Sequence, residues 1–89
     1  MNIFDDLVRL ARERKANPVD GSYTNKLLND KTLSKSKVLE EINELIEAVE
    51  KDSNKIHEAA DVLYHLAMFL EANDIKIEEV MIELNKRKK

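Results

Sequence analysis

Two acidic pairs have the residue types and spacing to do chemistry: Glu41 with Glu44, and Glu58 with Asp61, each spaced i, i+3. Val38, Leu39, Ile42, Leu45, Ile46 and Val49 predict a buried stripe on one helix. At about 100° per residue, Glu41 lies about 40° outside that stripe and Glu44 about 60° further round. Lys37 projects between them, while Glu40 and Glu47 point toward solvent. On the next helix Ile56, Ala59, Leu63, Leu66 and Leu70 predict the apolar face, with Glu58 and Asp61 at its edge and His65 one turn beyond. Each helix thus carries its acidic pair on the border between core and surface. Where two such borders meet, four carboxylates converge, repel and raise one another's pKa values. Bound Mg²⁺ (or Mn²⁺) reverses that effect, because a small hard cation prefers oxygen ligands and also takes phosphate oxygens. Two metals, or one metal and a general base, could then polarise a phosphoryl group and activate water. Spacing alone is weak evidence, since Glu in a chain that is 37% charged is most often solvated surface.

The elements that must position these residues are all helical. One Gly and one Pro in 89 residues leave too little punctuation for a turn-rich β fold. The fold class expected is all-α: an antiparallel bundle of about four helices plus a short helical turn. The first helix is predicted over about 3–16, with Ile3, Phe4, Leu7, Val8, Leu10 and Ala11 on one face. Pro18 stops it. Gly21-Ser22-Tyr23-Thr24 reads as a turn, Asn25–Leu28 as a short amphipathic stretch, and residues 29–32 as loop. Ser34 reads as the N-cap of the second helix, with Leu33 and Val38 as a hydrophobic staple. That helix runs to about Asp52, and Ser53 or Asn54 caps a third to about Ala72. A last helix, about 77–86, points Ile77, Val80, Met81 and Leu84 inward and ends in the basic tail Lys86–Lys89. The short link between the two central helices makes them antiparallel neighbours.

Bulk properties limit the function classes. The length allows one domain, residues 1–89, with a thin stability margin of its own. There is no cysteine, so a partner subunit or a metal is the expected supplement. A net charge of −3 argues against a nucleic-acid partner. The N-terminal residues Met1–Asp6 lack the basic-then-apolar run of a secretory signal, and nothing is long and apolar enough to span a membrane. The expected location is cytoplasmic.

A phosphate-bearing substrate also needs cationic partners. Arg14 and Lys15 at the end of the first helix, Lys26 after the turn and Lys37 beside the carboxylates are the candidates. Backbone N–H groups over Gly21–Thr24 add an anion-binding turn.

Arg14-Lys15, Gly21-Ser22-Tyr23-Thr24, Lys26-Leu27-Leu28, Lys37 to Glu44 and Glu58-Ala59-Ala60-Asp61-Val62-Leu63-Tyr64-His65 together resemble phosphoribosyl-ATP pyrophosphohydrolases over nearly the whole chain. The ExxE and ExxD pairs are shared with the wider all-α, MazG-like nucleoside triphosphate pyrophosphohydrolases. The Gly-Ser-Tyr-Thr and Tyr-His segments are narrower. The resemblance implies Mg²⁺-dependent hydrolysis of phosphoribosyl-ATP between its α and β phosphates, the second step of histidine biosynthesis, by a homodimer. It implies Glu41, Glu44, Glu58 and Asp61 as metal ligands, with Glu40, Glu41 and Glu44 as the catalytic carboxylates. Glu40 matches the family's Glu-Glu doublet and would orient or deprotonate water. It also implies substrate contacts from Arg14, Lys15, Ser22, Tyr23, Thr24, Lys26, Lys37 and His65. Leu39 departs from the family's usual Gly and implies altered packing or a changed pocket wall. The Thr24–Lys37 stretch is about one residue short, and Asn43 and Glu47 replace small or apolar residues. These departures keep open a house-cleaning pyrophosphohydrolase with another nucleotide substrate, and a non-catalytic helical dimer.

Overall fold

Asn2 starts the first helix: its side chain accepts the Asp5 N–H at 2.9 Å, satisfying one of the unpaired donors of the first turn. In the computed structural model, which describes residues 2–88, five helices follow one another. They are α1 (Ile3–Ala16), α2 (Tyr23–Asn29), α3 (Lys31–Lys51), α4 (Lys55–Ala72) and α5 (Ile77–Arg87). No strand occurs among the described residues. Met1 and Lys89, the outer ends of the two terminal segments read above, lie outside them.

The all-α class and the ends of α1 match the sequence reading; several boundaries do not. Tyr23 and Thr24 belong to α2, whose N-cap is Ser22, with its side chain accepting the Asn25 N–H. Gly21 supplies the left-handed step before it, at φ 78, which a Cβ would disfavour. The expected loop over 29–32 is absent. Asn29 closes α2, and Asp30 serves both as C-cap of α2 and N-cap of α3, accepting the Leu33 N–H at 3.0 Å. Ser34 is therefore no cap. It sits one turn inside α3, 1% exposed. Asp and Ser cap about equally well, and the earlier of the two wins because it lets α3 gain a turn. At the α3–α4 link, Asp52 and Asn54 take left-handed conformations at φ 51 and 56, which Asp and Asn tolerate better than most residues. Asn54 holds the N-cap position of α4 but makes no side-chain cap bond, and Ser53 does not cap it either.

The core joins α1, α2 and α4: Ala11, Leu27, Leu28, Ala67 and Met68 are buried together, with Phe4, Leu33 and Tyr64 packed against them. Its small residues let the backbones approach closely. Asn25, buried at the centre, holds the intervening loop: its Nδ2 donates to the Arg14 carbonyl and its Oδ1 accepts the Val19 N–H, both at 2.8 Å. α3 folds back along α4 as an antiparallel hairpin, as the short link required.

The faces of these helices correct the expected apolar stripes. α3 turns Ser34, Val38, Glu41 and Ala48 inward, while Leu39 is 54% exposed and Ile42, Ile46 and Val49 are exposed with it. On α4, His65, Ala67, Met68, Glu71 and Ala72 are buried, whereas Ile56 (88% exposed) and Leu63 lie open. Ile3 on α1 is exposed as well. In α5 no residue is fully buried, and Met81 and Leu84, expected inside, are exposed. The longest apolar runs thus face away from the chain's own core. Small and polar residues take the inward positions because the α3–α4 packing is close.

Arg12 anchors α5. Its guanidinium makes two 2.7 Å bonds to Glu78 and a 3.1 Å bond to the buried Glu71, tying α1, α4 and α5 at one point. The paired guanidinium holds the Glu78 carboxyl down to about 2. A carboxylate whose folded pKa is depressed stabilises the fold above its ordinary pKa, and that contribution fades as pH falls through the depressed value. We expect α5 amides to lose exchange protection as pH is lowered from about 4.5 to about 2, before the α3–α4 hairpin does. Glu78→Gln should weaken α5 protection severalfold already at neutral pH. Equal protection of α5 in the variant, followed by hydrogen exchange, would contradict the anchoring.

Candidate metal and phosphate site

Glu41 reaches the α3–α4 seam because it shares the inward face of α3 with Val38 and Ala48; it is 8% exposed. Glu44, one turn on, and Glu58, in the first turn of α4, meet it there. Glu41, Glu44 and Glu58 each offer a carboxylate oxygen, and these oxygens lie within 4.8 Å of one another. Glu58 also belongs to a second such group with His57 and Asp61. The four acidic residues expected at one point are thus arranged as two adjoining sets that share Glu58, with Asp61 in the outer one. His57, which carried no role in the sequence reading, takes part: its Nε2 lies 3.4 Å from the Asp61 Oδ2. Its i, i+4 spacing to Asp61 was the available signal.

The inner set is electrostatically unfavourable as it stands. Burial first, and the neighbouring Glu44 second, push the Glu41 carboxyl above the ordinary carboxylate range. Glu58 is raised for the same two reasons, with Asp61 adding to the repulsion. Glu41 Oε2 and Glu58 Oε2 are buried with no hydrogen-bond partner among the described residues, a condition native structures rarely leave unresolved. Hard oxygen donors in excess, unpaired and facing one another, fit a small divalent cation. A hollow of about 220 Å³, lined by Glu44, Glu58, Ala48, Lys51 and Asn54 among others, opens beside them.

His65 lies one turn after Asp61 and is buried. Its Nδ1 lies 2.8 Å from the Asp61 carbonyl, which can only accept, so Nδ1 carries a proton. In the neutral ring Nε2 is then the acceptor for the Tyr23 hydroxyl, 2.9 Å away. Tyr23 stacks on Tyr64 with ring centroids 6.5 Å apart, and Tyr64 exchanges a 2.6 Å hydrogen bond with Thr24. Burial raises the Tyr23 hydroxyl pKa. This polar chain locks the start of α2 to the centre of α4, so the turn before α2 is tied to the helix bearing Glu58 and Asp61.

The cations divide. Arg14 donates to the Ser22 Oγ at 3.0 Å and so stands at the turn. Lys26 is exposed and, with Pro18, Gly21, Ser22, Tyr23 and Asn29, lines a cleft of about 400 Å³, within the size range of small-molecule sites. Lys37 bonds Glu40 at 3.0 Å, and this carboxylate partner raises its pKa. Glu40 faces Lys37 and stands outside both carboxylate sets. Lys15 is drawn elsewhere: its ammonium donates to the Glu71 carbonyl at 2.8 Å and to Asp74 at 3.1 Å. Ten residues of α4 separate Glu71 from Asp61, about 15 Å along the axis. Lys15 therefore secures the C-terminal end of α4.

With this geometry in place, the chain matches the family described as phosphoribosyl-ATP pyrophosphohydrolase from residue 4 to residue 88. It is 44% identical to the phosphoribosyl-ATP pyrophosphatase of Clostridium acetobutylicum, over 96% of this chain and 80% of that one. It is 38% identical to the protein of the same name in Methanococcoides burtonii, over 99% and 94%. It is 42% identical to the histidine biosynthesis bifunctional protein HisIE of Pyrococcus furiosus, over all of this chain but only 43% of that protein.

The repulsion within the inner set gives a stability test. A carboxyl whose folded pKa is raised disfavours folding above its ordinary pKa, so ionised Glu41 should cost stability at neutral pH. Glu41→Gln should raise the metal-free melting temperature by a few degrees, where about 1 kcal/mol corresponds to roughly 4–8 °C in a domain of this size. Mg²⁺ should raise the melting temperature of the parent further, and Glu41→Gln should abolish that rise. A destabilised Glu41→Gln that still responds fully to Mg²⁺ in thermal denaturation would remove Glu41 from the site.

Proposed function

The chain belongs to the phosphoribosyl-ATP pyrophosphohydrolase family, and from that premise we propose that it hydrolyses phosphoribosyl-ATP between the α and β phosphates, releasing phosphoribosyl-AMP and pyrophosphate in histidine biosynthesis. The observation that carries the reading is the pair of buried, unpartnered carboxylate oxygens of Glu41 and Glu58 on facing helices. Glu41, Glu44 and Glu58 hold Mg²⁺, and Asp61 completes the ligand set from the adjoining position. When bound, the cation supplies charge neutralisation at the phosphate oxygens and lowers the pKa of water.

The remaining work belongs to side chains of the chain itself. Lys37 and Arg14 face the negative charge that spreads over the phosphates as the anhydride bond breaks, and Lys26 and the Gly21–Thr24 backbone hold the phosphate-bearing end of the substrate. Glu40, bonded to Lys37, orients the attacking water or takes its proton. Ser22 positions Arg14. His65 and Tyr23, with Thr24 bonded to Tyr64 beside them, keep this turn in register with Asp61. A positional error of about 1 Å in such an arrangement is enough to slow a reaction a hundredfold.

The functional unit we propose is a homodimer. Leu39, Ile42, Ile46 and Val49 form one exposed apolar ridge on α3, and Ile56 and Leu63 stand exposed on α4. So much open apolar surface on so short a chain supports an interface there. Leu39 lies on this ridge and lines none of the clefts described above, so its departure from the family's Gly bears on subunit packing.

Three measurements test the reading. Incubation with phosphoribosyl-ATP and Mg²⁺ should yield phosphoribosyl-AMP and pyrophosphate by mass analysis; turnover of common nucleoside triphosphates with none of phosphoribosyl-ATP would defeat it. Glu44→Gln or Asp61→Asn should lower kcat by roughly two orders of magnitude or more, the scale on which loss of one electrostatic stabiliser is felt. Glu47→Gln should be nearly silent. Ile46→Glu should shift the protein from dimer to monomer in sedimentation velocity, and a parent that sediments as a monomer would contradict the interface.

A further inference from the structure

Arg14, in the last turn of α1, has two acceptors within reach. Its guanidinium donates to the Ser22 Oγ at 3.0 Å, while the exposed Glu13 carboxylate stands 3.9 Å from its Nε. A flexible, half-buried arginine follows whichever partner is held still. We propose that Asn25 is a positioning residue for the reaction: it closes a ring of hydrogen bonds that keeps the Arg14 guanidinium at the turn before α2 and away from Glu13. This role rests on the reading that Arg14 faces the substrate phosphates.

Asn25 Nδ2 donates to the Arg14 carbonyl at 2.8 Å, and the Asn25 backbone N–H donates to the Ser22 Oγ at 3.2 Å. The same Oγ accepts from Arg14, so two residues grip the arginine at its backbone and at its tip. From the other side, Asn25 Oδ1 accepts the Val19 N–H at 2.8 Å, and the Val19 carbonyl accepts the Ser22 N–H at 3.1 Å. The loop is thereby fixed against the end of α1. The Arg14 carbonyl needs such a partner, because the residue four further on is Pro18, which has no N–H. Asn25 is 6% exposed, and its amide offers a donor and an acceptor together. Aspartate would keep the acceptor and lose the donor. Alanine would lose both and leave the Arg14 carbonyl and the Val19 N–H without this partner. Ser22 takes one donor of a guanidinium that has several in a fixed fork, so the fork can meet phosphate oxygens from that position.

A double-mutant cycle separates positioning from mere support of the fold. kcat/KM for phosphoribosyl-ATP is measured with Mg²⁺ at a temperature where circular dichroism shows each variant folded. Asn25→Ala should lower it about tenfold, since a displacement of about 1 Å in a positioned group is enough for that. Arg14→Ala should lower it at least as far. Asn25→Ala added to Arg14→Ala should then lower it no more than about twofold further, because the group that Asn25 positions is already gone. Losses that multiply in the double variant, or an Asn25→Ala protein as active as the parent, would make Asn25 a support of the fold alone. Either result overturns the inference and leaves the proposed reaction standing. Should Asn25→Ala not fold, Asn25→Asp replaces it in the cycle with the same expected outcome, and failure of both to fold would also overturn the inference. Full activity of Arg14→Ala would remove Arg14 from the reading and the positioning role with it. A parent that leaves phosphoribosyl-ATP intact would sink the reading itself, and this role with it.

Discussion

Glu41 is a carboxylate placed where an apolar residue would be expected, in the seam between α3 and α4, with Glu44 beside it and Glu58 facing it. Taking a charge out of water is costly unless it is paired, and like charges at this range make the cost larger. Much of the hairpin's construction can be read as accommodation of that one constraint. The turn of Asp52, Ser53 and Asn54 is tight enough to bring the first turn of α4 against the middle of α3. The inward face of α3 is built from Ser34, Val38 and Ala48, which keep the helices close without filling the seam. The divalent cation proposed for this cluster would offset that repulsion.

The same constraint explains where the sequence reading of the fold held and where it failed. Helix periodicity identified all-α architecture and the extents of α1 and α4 closely, because those signals are local. It then assigned the apolar stripe Val38, Leu39, Ile42, Leu45, Ile46 and Val49 to the core. In the chain itself Val38 is buried and Leu45 half-buried, but Leu39, Ile42, Ile46 and Val49 are exposed, and the buried stripe runs about 100° round the helix from them, through a serine and a glutamate. Hydrophobicity ranks faces by what they prefer to bury; it does not say against what. A helix that must serve both an internal carboxylate seam and an outward apolar surface carries two inward-looking faces, and a single-chain reading picks the greasier one. The caps misled for a smaller reason. Asp30 and Ser34 are both good N-cap residues, and the choice between them depends on whether α2 and α3 abut, which is tertiary information.

Site residues were legible in proportion to how local their signal was. The i, i+3 acidic pairs place three carboxylates together as spacing suggested. The division into two sets sharing Glu58 was not visible, because it depends on the offset between α3 and α4. Lys15 stands next to Arg14 in sequence, yet one helical step of about 100° sends Arg14 to the turn at Ser22 and Lys15 to the end of α4. The tertiary roles of Asn25, Arg12 and Glu71 were not legible, since a buried Asn that staples a loop and an Arg that joins three helices have no motif; only their partners identify them.

The partition of the cations ties these threads together. α1 carries its basic residues at the C-terminal end, where any helix would favour them, and the fold sorts them by function. Arg12 and Lys15 are consumed by Glu71, Glu78, Asp74 and the end of α4, so they neutralise acidic groups on the side remote from the seam. Arg14 and Lys37, together with the exposed Lys26, are left along α2 and the adjoining face of α3. Had Lys15 or Arg12 been available to Glu41 or Glu58, an internal ion pair would have satisfied the orphaned carboxylate oxygens. Anchoring those two cations elsewhere leaves the carboxylates of the seam without an arginine or lysine partner from α1. The separation of charge across α2 and the hairpin, more than any single residue, is what the proposed grip on a cation and a polyphosphate would draw on.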